Sequence, residues 1–105
     1  MKIQQGDVIL VVVRDIPPDA TRVQPGTRGY VLAEGEATGH AHTIEAAPNV
    51  ELYERDGVLY LRVLECPVPM RHEEHDTAIL APRTYRVKRV REWDEFAEEA
   101  RTVID

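Results

Sequence analysis

Six consecutive residues, Val8-Ile9-Leu10-Val11-Val12-Val13, are apolar and mostly β-branched, with no polar position to mark a wet face. A half-exposed strand alternates apolar and polar residues, so an unbroken run of strand length predicts a strand covered from both sides and central in its sheet. Ile16-Pro17-Pro18-Asp19 ends it, and the stretch to about Arg28, with Pro25-Gly26 and little periodicity, reads as a surface loop. A second strand is expected over Tyr30 to Glu34. Gly35 and Gly39 then bracket a turn, after which His40 to Glu45 can run extended.

The strongest local pattern is a hairpin, with Val50 to Arg55 and Val58 to Leu64 flanking Asp56-Gly57, a pair suited to a two-residue type I′ turn. Pairing across that turn sets Leu52 against Leu61 and Val50 against Val63 on one face. Tyr53 then meets Tyr60, and Glu51 meets Arg62, on the other. The apolar pairs belong to the core face and the amphipathic and charged pairs to the outside.

Cys66-Pro67-Val68-Pro69 suits an edge or crossing segment, because two prolines remove backbone donors within three residues. Short strands are expected at Thr77 to Leu80 and Tyr85 to Val90, separated by a turn at Pro82-Arg83. The period then changes. Trp93, Phe96, Ala97, Ala100, Val103 and Ile104 recur at helical spacing, which predicts an amphipathic helix over Asp94 to Val103 with Asp94 as its cap. The expected fold class is all-β: a small β-barrel or two-sheet sandwich of seven or eight strands, with a C-terminal α-helix at about residues 94–103. One domain accounts for residues 1–105, and a chain of this length can bury a core without disulfides.

Composition narrows the function. With 43% apolar and 30% charged residues the chain has the make-up of an ordinary globule. No apolar run approaches the roughly 20 residues of a membrane-spanning helix, and the start lacks the zones of a secretion signal, so the expectation is a cytoplasmic protein beginning at Met1. The net charge of −6 argues against nucleic acid as a partner. A basic strand formed by Arg83, Arg86, Lys88, Arg89 and Arg91 is followed at once by Glu92, Asp94, Glu95, Glu98 and Glu99, which neutralise it. The partner is left as an unidentified small molecule or protein, and homo-oligomerisation stays open. A single cysteine, Cys66, excludes an intrachain disulfide and a thiolate-rich zinc site, so any metal would be held by nitrogen and oxygen.

All 4 histidines fall in two tight groups, Gly39-His40-Ala41-His42 and His72-Glu73-Glu74-His75. Residues two apart on an extended segment share a side, so His40 and His42 can present two imidazoles together. Residues three apart in a turn or single helical turn do the same for His72 and His75. Two such groups about 30 residues apart are what a divalent metal site spanning neighbouring elements requires. Zinc, iron(II), manganese, nickel and copper all suit imidazole with optional carboxylate, and Glu34, Glu36, Glu45, Glu73, Glu74 and Asp76 are the carboxylates within reach in sequence. Glu73 and Glu74 fit solvation or support of an imidazole N–H better than ligation.

Other chemistries compete. The histidines can be loop residues bonded to backbone in a metal-free interaction module. They can also serve acid–base work, as in the single His75-Asp76-Thr77 triplet, or pair with Cys66 as a nucleophile.

The motifs Gly35-Glu36-x-x-Gly39-His40-Ala41-His42, His72-Glu73-Glu74-His75 and Pro82-x-x-Tyr85-Arg86-Val87, behind an opening Gln5-Gly6-Asp7-Val8, resemble a group of small uncharacterised bacterial and phage proteins. More distantly, the order His-x-His, carboxylate, hairpin and later histidine is similar to the cupin superfamily. That likeness implies a small β-barrel holding a divalent metal by three histidines and a glutamate, with His40 and His42 as the first pair and His72 or His75 as the last histidine.

Overall fold

A computed structural model of the chain describes residues 1–35 and 39–90. Ten strands run in chain order: β1 (Lys2–Gln5), β2 (Val8–Val12), β3 (Thr21–Val23), β4 (Tyr30–Glu34), β5 (Ala41–Ile44), β6 (Val50–Arg55), β7 (Val58–Val63), β8 (Val68–His72), β9 (His75–Leu80) and β10 (Thr84–Arg89). They form a six-stranded sheet, β1-β2-β10-β7-β6-β3, and a four-stranded sheet, β4-β5-β8-β9. Every strand pairing within the two sheets is antiparallel.

The hairpin register follows the alternation of its sequence. Leu52 faces Leu61, Val50 faces Val63, Tyr53 faces Tyr60 and Glu51 faces Arg62. Asp56 and Gly57 both have positive φ, 51° and 80°, as a type I′ turn demands. The apolar pairs are buried and join Val8, Leu10 and Tyr85 of the same sheet against Tyr30, Leu32, Ile44, Val68, Met70 and Leu80 of the other. The core is therefore the space between the two sheets. Two tyrosines keep their hydroxyls satisfied at its borders: Tyr85 donates to Ala81 O at 2.6 Å and Tyr30 to Val50 O at 3.4 Å.

The expected architecture needs correction. Among the described residues there is no helix, and the sheets do not close into a barrel: β1 and β3, and likewise β4 and β9, end their sheets. The helix expected at Asp94 to Val103, with Trp93 and Phe96 on its apolar stripe, lies outside the described residues. More strands form than the pattern predicts, because Lys2–Gln5 and Thr21–Val23 are too polar or too short to show alternation, yet each finds a partner, β2 and β6 respectively. Backbone pairing recruits such segments once a neighbouring edge is present. Thr21–Val23 thus turns part of the expected loop into a strand. The buried run Val8-Ile9-Leu10 lies one strand in from the edge of its sheet rather than at the centre.

The proline segment also departs from expectation, since β8 is an inner strand. It is tolerated there because β5 pairs only with Met70 and Arg71, past both prolines. Pro69 faces Ile79 on the other side.

Two glycines give a paired test of backbone geometry. Gly57, at φ 80°, has nothing within 4 Å of the place a Cβ would take, whereas Gly29, at φ 81°, would put that carbon 2.5 Å from Ile44 O. Gly57→Ala should therefore cost only the left-handed penalty of about 1–2 kcal/mol. Gly29→Ala should lose about 2–5 kcal/mol, because backbone must also move. Equal losses in urea denaturation would show that the Gly29 contact yields freely.

Candidate functional site

The sheets bring three turns to one end of the molecule. The first is Gly6-Asp7 between β1 and β2, the second is the approach to β5 through Gly39 and His40, and the third is Glu73-Glu74 between β8 and β9. In the last, His72 and His75 are direct cross-strand partners, so they converge through a hairpin rather than a helical turn. Glu73 closes the gap to the second turn by accepting the Ala41 N–H on Oε1 at 2.9 Å. That backbone hydrogen bond is the main reason its carboxyl is held below the usual range.

The four rings gather around His72. Its centroid lies 4.4 Å from that of His42, 4.6 Å from His75 and 5.8 Å from His40, and His42 and His75 are 6.0 Å apart. Two imidazoles sharing an ion through bonds of about 2.0–2.1 Å would stand roughly 4.5–5.3 Å apart by centroid. His72 thus stands near that spacing from both His42 and His75, whereas His40–His72 at 5.8 Å and His42–His75 at 6.0 Å are wider. His40 precedes β5 and does not share the strand geometry that would align it with His42; its nearest charged group is Glu74, with Nδ1 3.7 Å from Oε1.

His42 is the anchor. It is 1% exposed, and burial, followed by the neighbouring His72, pushes its pKa below the ordinary 6.5 against the pull of Asp7, a shift that favours the neutral ring. Its Nδ1 lies 2.8 Å from Gln5 Oε1. The Gln5 amide cannot be reversed without loss, because its Nε2 donates to two carbonyls, Met70 O at 2.8 Å and Asp76 O at 2.9 Å. An oxygen therefore faces His42, Nδ1 carries the proton, and the Nε2 lone pair is left on the side of Asp7. This is the orientation in which a backing acceptor prepares a histidine for a metal.

Nε2 of His42 stands 3.3 Å from Asp7 Oδ1. Burial alone would raise the Asp7 carboxyl, but the hydrogen bond and charge of Arg89, with a backbone hydrogen bond, hold it below the usual range. Arg89 Nε donates to Asp7 Oδ2 at 2.7 Å and its Nη2 to Glu34 O at 2.6 Å. Gly6 clears space on the same turn, since a Cβ there would fall 2.5 Å from His75 Nε2. Gly35 does so for His72, whose Nε2 would lie 3.2 Å from its Cβ. A cavity of about 610 Å³, lined by Gly6, Asp7, Gly35, His40, His72, Glu74 and His75, opens outside the cluster.

Among the described residues, no three His, Cys, Asp or Glu side chains already place donors around a single point as an ion would need. One cause is visible at His72, whose Nδ1 accepts the Glu74 N–H at 3.0 Å and so leaves the ring proton on Nε2 when the ring is neutral. To bind a metal through Nε2, His72 would give up that bond. Of the carboxylates, Glu34 pairs with Arg28 at 2.9 Å, Glu45 and Asp76 are exposed, and Glu36 lies outside the described residues.

Gln5, Gly6, Asp7 and Arg89 were not among the residues that the sequence nominated for the site. The signal was the motif Gln5-Gly6-Asp7-Val8, but a Gly-Asp pair between two strands is explained by a turn alone. Nothing local announces that the turn meets histidines 35 to 68 positions away.

A model of a domain of unknown function, DUF8820, matches residues 4–90 and so takes in both histidine groups and the Gln5-Gly6-Asp7 turn. No curated protein and no solved structure matches the chain. The match lends nothing to the cupin likeness and brings no activity with it. On its extent, the chain belongs to the DUF8820 family.

Proposed function

We propose that this protein binds one divalent metal ion through imidazoles contributed by both histidine groups, His40/His42 and His72/His75. The observation that carries the proposal is the buried His42, whose Nδ1 is committed to Gln5 and whose ring packs 4.4 Å from that of His72 and 6.0 Å from that of His75. A purely structural histidine needs one such partner, but not two further imidazoles, His72 and His75, packed beside it. Zinc, iron(II), manganese and nickel all suit the donors. The metal-free alternative, an interaction module with hydrogen-bonded histidine loops, draws its support from the His72 contact with the Glu74 N–H.

Metal analysis after purification without chelators should return one ion per chain. Adding an ion to 100 times its Kd should stabilise the fold by about 2.7 kcal/mol, raising the Tm by roughly 10–20 °C for a domain of this size. No stoichiometric metal, together with no shift from zinc, manganese, nickel or iron(II), would overturn the proposal in favour of the metal-free module.

A further inference from the structure

We infer that Asp7 supplies an oxygen ligand to this metal, so that the ion sits between the Gly6-Asp7 turn and the imidazoles of His42, His72 and His75. The inference rests on the metal-binding reading and adds a donor from a third element. Two ligands on one ion, with bonds of about 2.0–2.2 Å at angles of 90–110°, are separated by about 3.0–3.4 Å. His42 Nε2 and Asp7 Oδ1 are 3.3 Å apart. Because Nδ1 of His42 holds the ring's proton, that distance separates two lone pairs, an arrangement that a cation between them turns from repulsive to attractive.

The carboxylate is held for the task. Its second oxygen, Oδ2, is fixed by Arg89 Nε, and Arg89 is itself fixed by Glu34 O, so Oδ1 points at His42 and the ion would not need to order it. The backbone of the same turn brings in the next ring, since only glycine at position 6 lets His75 Nε2 come so close. Gln5, Gly6 and Asp7 therefore act on one site in three ways: orienting His42, admitting His75 and donating an oxygen. Three nitrogens and one oxygen leave room toward the cavity lined by Gly35, His40 and Glu74. A water or a small oxygen-donor molecule can complete the coordination there.

Cobalt(II) is the probe, because its visible bands report donor type and its unpaired electrons shift the protons of ligating side chains. Asp7→Asn should weaken cobalt(II) binding by at least about 100-fold and alter the visible spectrum, with the metal-free variant retaining its strand circular dichroism. Wild-type protein loaded with cobalt(II) should also show strongly shifted Asp7 β-protons in its NMR spectrum, a readout that stands even if the variant does not fold. Wild-type affinity and spectrum in Asp7→Asn, or unshifted Asp7 β-protons beside shifted imidazole protons, would overturn Asp7 as a ligand and leave the histidine site intact. Failure of the wild type to bind cobalt(II) or any of the other ions would remove both readings together.

Discussion

His42→Ala should abolish stoichiometric metal binding while leaving a folded, less stable sandwich. The ring contributes the one lone pair whose direction is set by a fixed amide, so its loss removes the site's best-oriented nitrogen donor. In the metal-free protein the same change strands Gln5 Oε1 and opens space at a fully enclosed position, at a cost of about 1–3 kcal/mol. Isothermal titration with zinc checks the first effect; retained micromolar affinity would sink it.

His42 also sets a pH dependence. Its pKa is lower in the folded chain than the ordinary 6.5. Its contribution to stability is therefore intact above about 6.5 and is lost as pH falls through 6.5 toward the folded value. Metal affinity should fall over the same range, because a protonated imidazole cannot ligate. The melting temperature of metal-free wild type should drop between pH 8 and pH 5, and His42→Ala should flatten that part of the slope.

The largest loss of stability should come from Leu61→Ala. Leu61 is fully enclosed, opposite Leu52 in β6 and Tyr85 in β10. Truncating it removes buried area and leaves a cavity that rigid sheets cannot collapse, at a cost of about 2–5 kcal/mol and roughly 10–30 °C in Tm. Its neighbour Tyr60 points to the other face, against Tyr53, so Tyr60→Ala should cost under about 1.5 kcal/mol. A reversed ranking would mean that the hairpin presents its other face to the core.

The hairpin was legible because its information is local: an Asp-Gly turn and alternation on either side determine both register and facing. The histidine groups were legible as chemistry, since four scarce side chains in two clusters stand out in any sequence. How they meet was not. A helical turn for His72 and His75 is as consistent with their spacing as the hairpin that forms, and nothing in the sequence separates His40 from His42, although β5 begins between them. Asp7 was invisible for a deeper reason. Its role depends on β10 delivering Arg89 and β5 delivering His42 to the same turn, and such tertiary placement leaves no trace in the residues beside it. The short strand Thr21–Val23 escaped notice in the same way, being extended only because β6 lies beside it.

The hairpin of β8 and β9 lies at the margin of the smaller sheet, and beyond Met70 and Arg71 it has no ladder to β5. Among the described residues, its hydrogen bonds to the rest of the fold near the tip are the Glu73 bond to Ala41 N–H and the two Gln5 bonds to Met70 O and Asp76 O, beside the His40–Glu74 approach and the packing of the histidine rings. Ile79 faces solvent along its length. Such a flap opens at less cost than the whole domain unfolds, and opening it would carry His72 and His75 away from His42 and Asp7. The residence time of a bound ion would then be set by how often this flap lifts. Weakening Glu73 would speed metal exchange while leaving global stability nearly untouched.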